Sequence, residues 1–193
     1  MMDTPPLLIL DLDETLIHAT HAALEGHRVA FETDYYDVYK RPFVDEFIAF
    51  CLQHFRVAVW TSSGELYAQQ IVTALFADPA QLHFIWSRRR CTTRLQAEWH
   101  EYVHVKNLKK VKQRGYPLER VLIIDDSPEK LIHQYGNLIR VKPFEGQRDD
   151  QELRLLMPYL LHLKDQPNLR KIEKRNWRQV SAQLCNTQPD AFP

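Results

Sequence analysis

The chain turns on Leu7-Leu8-Ile9-Leu10-Asp11-Leu12-Asp13-Glu14-Thr15-Leu16-Ile17-His18. Four consecutive aliphatics, Leu7 to Leu10, have the length and composition of a strand covered on both faces. The run ends abruptly in acid. Asp11 and Asp13 stand two apart, so in extended chain both side chains leave on the same side. Two carboxylates that close repel each other unless a cation lies between them, and Mg²⁺ suits an all-oxygen ligand set. An ionised carboxylate also attacks phosphorus to form an aspartyl-phosphate. The pair alone fits a solvated turn after a strand equally well, so its meaning depends on the other strand ends.

Working outward, Arg56-Val57-Ala58-Val59-Trp60 is a second strand, ending in Thr61-Ser62-Ser63-Gly64-Glu65. Ser62 and Glu65 have capping-box spacing. That predicts a helix N-terminus, whose N–H groups and partial positive charge make a natural phosphate seat. Leu82 to Trp86 is a third strand, Val121 to Ile124 a fourth and Leu138 to Val141 a fifth. The fourth ends in Asp125-Asp126-Ser127-Pro128, with Ser127 and Pro128 suited to open a helix carrying Leu131 and Ile132. Helical periodicity runs from Arg41-Pro42 to Phe55, from Tyr67 to Leu75 and from Asp149 to Leu163. Lys106 opens a short helix that Gly115 closes. Strands alternating with helices predict an α/β fold with a doubly wound parallel sheet of about five strands. Ligands bind beyond the carboxyl ends of such strands. Three tips carry chemistry there: Asp11 with Asp13, Thr61, and Asp125 with Asp126.

Arg28 to Glu32 and Tyr36 to Lys40 flank Thr33-Asp34 and read as a small β-hairpin over about 28–40. Its aromatics Phe31, Tyr35, Tyr36 and Tyr39 either line a substrate groove or pack the hairpin, and aromatic burial favours packing. Residues 87–105 read as irregular. Arg88, Arg89, Arg90 and Arg94 there make a solvated loop or an anion-docking patch. His100 and His104 lie four apart with no third ligand, so they read as surface or core histidines and not as a zinc pair. From Gln166 the chain is polar, with Trp177, Val180 and Leu184 as helical anchors. Asn186 to Pro193 is expected to be loose.

Composition narrows the class. The 193 residues allow one domain with an ample core. Lys+Arg and Asp+Glu both number 25, so no global field draws the chain to nucleic acid or to a membrane. Cys51, Cys91 and Cys185 are scattered and odd in number, which points to a reducing compartment. The Met-Met-Asp-Thr-Pro-Pro start lacks a basic region and the apolar run behind it is too short for a signal peptide. A cytoplasmic or, in a eukaryote, nuclear protein is expected, monomeric by default.

Asp11-Leu12-Asp13-Glu14-Thr15-Leu16-Ile17-His18 resembles motif I of the haloacid-dehalogenase-like hydrolases. Within them it is similar to the NLI-interacting-factor branch, which holds the small phosphatases of the RNA polymerase II C-terminal domain. Trp60-Thr61-Ser62-Ser63 resembles motif II, Val105-Lys106-Asn107-Leu108 motif III, and Leu122 to Pro128 motif IV. Tyr39 to Phe47 matches the family string after the hairpin. The resemblance runs from Leu7 to Leu163 and implies a Rossmann-like domain over 1–165, with a polar, helical tail over 166–193. Relatives acting on small molecules often carry a helical cap between Thr15 and Arg41; this chain has no room for one. Two departures stand out. Asp126 occupies a position where many relatives have Asn, and 87–105 is longer than in the small eukaryotic members.

The resemblance implies a Mg²⁺-dependent phosphomonoesterase. Asp11 is expected as nucleophile and Asp13 as general acid and base. Thr61 and Ser62 with nearby N–H groups would hold phosphoryl oxygens, and Lys106 would neutralise Asp11 and phosphate. The metal would take Asp11, the backbone carbonyl of Asp13 and the Asp125-Asp126 pair. The missing cap suggests a phosphorylated protein as substrate. A phosphatase of nucleic-acid ends or metabolites and a non-catalytic scaffold, like the mitochondrial import-receptor subunit of this branch, are the alternatives. Zero net charge weighs against the first, and the presence of both Asp11 and Asp13 against the second.

Overall fold

The computed structural model describes residues 4–96 and 101–187. In chain order they form β1 (Leu7–Leu10), β2 (Ile17–Thr20), β3 (Phe31–Glu32), β4 (Asp37–Lys40), α1 (Val44–His54), β5 (Arg56–Trp60) and α2 (Glu65–Leu75). There follow β6 (Ile85–Trp86), β7 (Thr92–Gln96), β8 (Glu101–Val105), α3 (Lys109–Gln113), β9 (Val121–Asp125), β10 (Leu138–Arg140), α4 (Glu152–Lys164) and α5 (Trp177–Thr187).

The central sheet has the order β10-β9-β1-β5-β6, with every pairing parallel. β1 lies in the middle because all four of its residues are fully buried aliphatics. Alternate side chains feed opposite faces. Leu8 and Leu10 join Val57, Val59, Leu122 and Ile124 under α1, α2 and α4, while Leu7 and Ile9 join Val121 and Ile123 under Leu108, Val111 and Leu131. The chain leaves β1 toward β5 on one side and comes back to β9 on the other. That reversal of strand order puts a crevice at the carboxyl ends of β1, β5 and β9.

Four segments differ from their sequence expectation. The third strand pairs only at Ile85 and Trp86, although Leu82 and Phe84 are buried beside it; it is the sheet's edge, and a 3-10 turn over Pro79–Gln81 leads into it. The hairpin is a three-stranded sheet in which β4 pairs with both β3 and β2. Residues expected to be irregular form the β7–β8 hairpin, in register from Thr92 opposite Val105. Its strands lack apolar alternation because Arg94, Leu95 and Tyr102 are exposed, so no periodicity announces them. His100 lies outside the described residues. Ser127-Pro128 opens one 3-10 turn, Pro128–Leu131, and not an α-helix.

The polar C-terminal stretch runs back over α4. Trp177 is 1% exposed, donates its indole N–H to the Arg140 carbonyl at 2.9 Å and belongs to the same core cluster as Leu169. Arg178 pairs with Glu152. Of the Asn186–Pro193 stretch, residues 188–193 lie outside the described residues.

Arg41 ties these layers together from inside. Its guanidinium grips Asp150 with two hydrogen bonds of 2.8 Å and donates to the carbonyls of Thr15 at 3.0 Å and Lys142 at 2.9 Å. Pro42 sits ahead of α1 and not in its first turn; Phe43 takes the N-cap position at φ 65°, the left-handed region. Removing one partner of a buried ion pair costs about 3–5 kcal/mol, because the other is left uncompensated. Urea unfolding of Arg41→Met at neutral pH is expected to show a loss in that range; a loss below about 1 kcal/mol would deny the clasp its structural role.

Candidate functional site

Beyond Leu10 the chain turns sharply. The Leu12 carbonyl accepts from the N–H groups of Thr15, Leu16 and Ile17, and Glu14 adopts φ 54°. Asp11 still continues the β1 ladder, its N–H donating to the Ile124 carbonyl at 3.0 Å, while Asp13 lies in the turn that follows, so the two are not on one extended strand and their carboxylates have different partners. Asp11 is 1% exposed. Lys106 Nζ lies 2.9 Å from its Oδ1, outside hydrogen-bond geometry, and Lys130 Nζ donates to its Oδ2 at 3.0 Å. Asp13 accepts from Ser63 Oγ at 2.6 Å, Tyr67 Oη at 2.5 Å and, more weakly, Thr61 Oγ1 at 3.4 Å.

Burial alone would raise the Asp11 carboxyl, but the ammonium groups of Lys106 and Lys130 outweigh it and hold it below the usual carboxylate range. Asp13 is raised, as its neighbourhood of acids suggests. The chief cause, however, is burial; the bonds from Ser63 and Tyr67 oppose it, and the charge of Asp11 adds a smaller push. Two carboxylates two residues apart are thus driven in opposite directions, the pattern of an acid–base division of labour.

The other tips converge on this pair. Asp125, fully buried at the end of β9, accepts from Lys106 Nζ at 2.6 Å and from the Ser127 N–H at 3.0 Å. Burial and the neighbouring Asp11 push its carboxyl upward. Asp126 accepts from Ser127 Oγ at 2.8 Å and Thr15 Oγ1 at 3.4 Å. Lys106 follows β8 and is fully buried, ahead of the helix it was expected to open. Thr61 is buried at the tip of β5. Its N–H goes to Trp86 and its hydroxyl accepts from Ser63 N–H at 3.0 Å, so neither of those two N–H groups is left for a phosphate. Ser62 does not cap α2. Gly64 holds the N-cap position with no side-chain bond, and the Ser62 carbonyl accepts from Arg88 Nε at 2.7 Å.

Asp11, Asp125 and Asp126 each present a carboxylate oxygen within 4.8 Å of the other two, and among the described residues no other group of acids, histidines or cysteines does so. An all-carboxylate set with Asp11 Oδ1 buried and accepting no hydrogen bond fits a hard divalent cation. The Asp13 carboxylate is not in that group.

A groove of about 720 Å³ opens beside Asp13, between the Thr33–Tyr36 turn and the start of α2, with Ser62, Tyr67 and Arg88 among its walls. Of the hairpin aromatics, Tyr36 and Tyr35 line it. Tyr39 is 3% exposed and Phe31 packs on the core. Tyr36 meets Tyr67 edge to face at 5.9 Å.

Sequence reasoning misses Lys130, Ser63 and Tyr67. Lys130 makes ion pairs with Asp11 at 3.0 Å, Asp125 at 3.6 Å and Asp126 at 3.8 Å. Burial works against its charge, but those carboxylates keep it protonated. The available signals are its spacing of four from Asp126 and, for Tyr67, a place on the first turn after the Thr61 tip.

The model of the NLI interacting factor-like phosphatase family matches residues 6–170. CTD small phosphatase-like protein 2 of Dictyostelium discoideum is 32% identical over 84% of this chain and 28% of that protein. The mitochondrial import inner membrane translocase subunit TIM50 of Phytophthora infestans is 34% identical over 88% and 38%. The probable C-terminal domain small phosphatase of Dictyostelium discoideum is 31% identical over 79% and 49%. The chain thus spans between about a quarter and a half of the length of these relatives. In fold it is similar to the fission yeast RNA polymerase II CTD phosphatase Fcp1, with a TM-score of 0.56 at 17% identity over 95% of this chain and 62% of that one. Because the match spans β1, β5, β9 and the Lys106 turn, where the charged side chains converge, the chain belongs to the NLI interacting factor-like phosphatase family.

Proposed function

We propose that this protein is a phosphomonoesterase acting on phosphorylated protein through an aspartyl-phosphate on Asp11. The observation that carries the reading is Asp11 itself: a buried carboxylate kept ionised by two lysines, next to a second carboxylate pushed toward its protonated form.

In the first step an Asp11 oxygen attacks phosphorus. The bond to the leaving oxygen breaks, its electron pair stays on that oxygen, and Asp13 delivers the proton. In the second step Asp13, now ionised, takes a proton from water as the water oxygen attacks phosphorus. The bond to Asp11 breaks, inorganic phosphate leaves, and both carboxyls return to their starting forms. Ser63 and Tyr67 fix the Asp13 carboxylate in place for both transfers. Lys106 neutralises Asp11 and the incoming phosphoryl group, while Thr61 and Ser62 border the phosphoryl oxygens. The side chains of Asp11, Asp125 and Asp126, with the Asp13 backbone carbonyl, would hold Mg²⁺. That ion would screen Asp11 from its anionic substrate.

A protein substrate is supported by the groove. It opens to solvent beside Asp13, among the described residues no helical cap covers it, and Tyr35, Tyr36 and Tyr67 line it beside Arg88. The CTD phosphatase relatives point the same way. The TIM50 relatives raise a scaffold reading, which the retention of Asp11, Asp13 and Lys106 in contact with their partners opposes.

Hydrolysis of an aryl phosphate is expected to require Mg²⁺, to stop with chelator, and to fall about a thousandfold or more in Asp11→Asn. Absence of turnover with every divalent metal, on aryl phosphates and on phosphopeptides alike, would sink the reading. General acid catalysis contributes about 10²–10⁴-fold, and a good aryl leaving group needs little of it. Asp13→Asn should therefore lose far more kcat on a phosphoserine peptide than on p-nitrophenyl phosphate; equal losses would remove Asp13 as the acid. Tyr36→Ala should weaken kcat/KM on a phosphopeptide about tenfold, the worth of one aromatic contact, and leave the aryl phosphate nearly unchanged. A uniform loss on both substrates would make Tyr36 a packing residue only.

A further inference from the structure

The three carboxylates that fit a divalent cation already share one cation, and it is covalently attached. Lys130 Nζ stands 3.0 Å from Asp11, 3.6 Å from Asp125 and 3.8 Å from Asp126. Those same acids present oxygens within 4.8 Å of one another. Mg²⁺ draws its oxygens to about 2.0–2.1 Å in a near-octahedral shell. An ammonium in contact with all three carboxylates competes for that space and repels the ion.

The two lysines at the site are not equivalent. Lys106 is fully buried and bridges Asp11 and Asp125 from below. Lys130 keeps 16% of its side chain exposed and lines the groove beside Asp13. Its backbone is fixed, since its carbonyl accepts from the Lys106 N–H at 2.7 Å and the next residue, Leu131, is fully buried. Its four-carbon stem is the mobile part, with open groove to move into.

We propose that Lys130 is a tethered competitor of the metal. Its ammonium neutralises Asp11, Asp125 and Asp126 when no divalent ion is bound and withdraws into the groove when one enters. The protein thereby keeps its acidic cluster stable without metal and accepts weaker metal binding in return. This rests on the Mg²⁺ reading above and adds to it a residue that sets the affinity.

The test compares wild type with Lys130→Gln and Lys130→Met, which keep the stem without its charge, and with Lys130→Arg, which keeps the charge. Mg²⁺ affinity is read by titration calorimetry and unfolding temperature is read with chelator and at saturating Mg²⁺. A nearby unit charge moves a carboxylate equilibrium by about 1–3 pKa units, so the neutral variants should bind Mg²⁺ about tenfold or more tightly. They should also unfold below wild type in chelator and at or above it in Mg²⁺. Lys130→Arg should follow wild type. Equal Mg²⁺ affinity in wild type and both neutral variants overturns the competition and leaves the metal site standing. Binding of neither Mg²⁺ nor Mn²⁺ to any variant overturns both.

Discussion

The constraint on which everything else depends is the burial of Asp11, Lys106 and Asp125. All three have side chains with at most 1% exposure. Removing an ion from water costs several kcal/mol even after the protein relaxes, and only close, well-placed opposite charge offsets it. Three ionisable groups at the carboxyl ends of a hydrophobic sheet are therefore stable only as a set. The aliphatic run of β1 brings Asp11 to the switch point, and the equally apolar β9 brings Asp125 beside it in register. Neither strand supplies a counter-charge. Lys106 does, and it comes from outside the central sheet, at the end of the β7–β8 hairpin. Half of that hairpin's described side chains are exposed, but it ends where Lys106 is required.

Charges held this tightly need a backbone that does not move. The Leu12 carbonyl gathers three N–H groups and Glu14 takes a left-handed conformation, so the turn after β1 is fixed by main chain before any side chain acts. Arg41 then locks that turn to the far end of the sheet. One guanidinium, itself fully paired, joins the Thr15 carbonyl, the Lys142 carbonyl and Asp150. On the other side Tyr67, from the first turn of α2, reaches the Asp13 carboxylate. Asp11 and Asp13 are held by different elements, which lets their environments diverge: burial pushes both carboxyls up, but two lysines outweigh it at Asp11, whereas hydroxyl donors offset it only in part at Asp13.

What was legible in the sequence follows from the range of the interactions. β1, β5 and β9 are continuous apolar runs, and the acids at their tips mark the site without any knowledge of packing. Asp11, Asp13, Thr61, Asp125 and Asp126 could be named because each ends or follows such a run, whereas Lys106 follows no apolar run and could be named only through its resemblance to motif III. Lys130 could not, because its principal partner is 119 residues away and a lysine in a polar turn looks like solvent-facing charge. Ser62 with Glu65 misleads for the opposite reason: the local spacing is right for a capping box, but Arg88 holds the Ser62 carbonyl and the helix starts at Glu65. The β7–β8 hairpin is invisible to periodicity because much of both its strands meets water. Trp177 stands out as an apolar anchor in a polar segment, but the sequence does not tell that its partners are Tyr159 and, through a hydrogen bond, the Arg140 carbonyl.

The acid at Asp126 and the lysine at Lys130 are best understood together. A third carboxylate beside Asp11 and Asp125 adds a negative charge that Lys106, already shared between two partners, does not reach among the contacts it makes. Without further compensation that charge would raise the cost of the fold, because like charges at this distance in low dielectric repel strongly. Lys130 lies one turn along the same loop and touches all three acids. Counted as formal charges, its ammonium brings the cluster from three carboxyl groups against one ammonium to three against two. The remaining charge is one that a phosphate-handling site has use for, since a fully neutral cluster would have no reason to attract a divalent cation. Asp126 thus strengthens the demand for a cation and Lys130 meets part of it from within the chain. On the metal reading proposed above, the balance between the two, and not the carboxylates alone, would set the affinity of the site for a divalent cation.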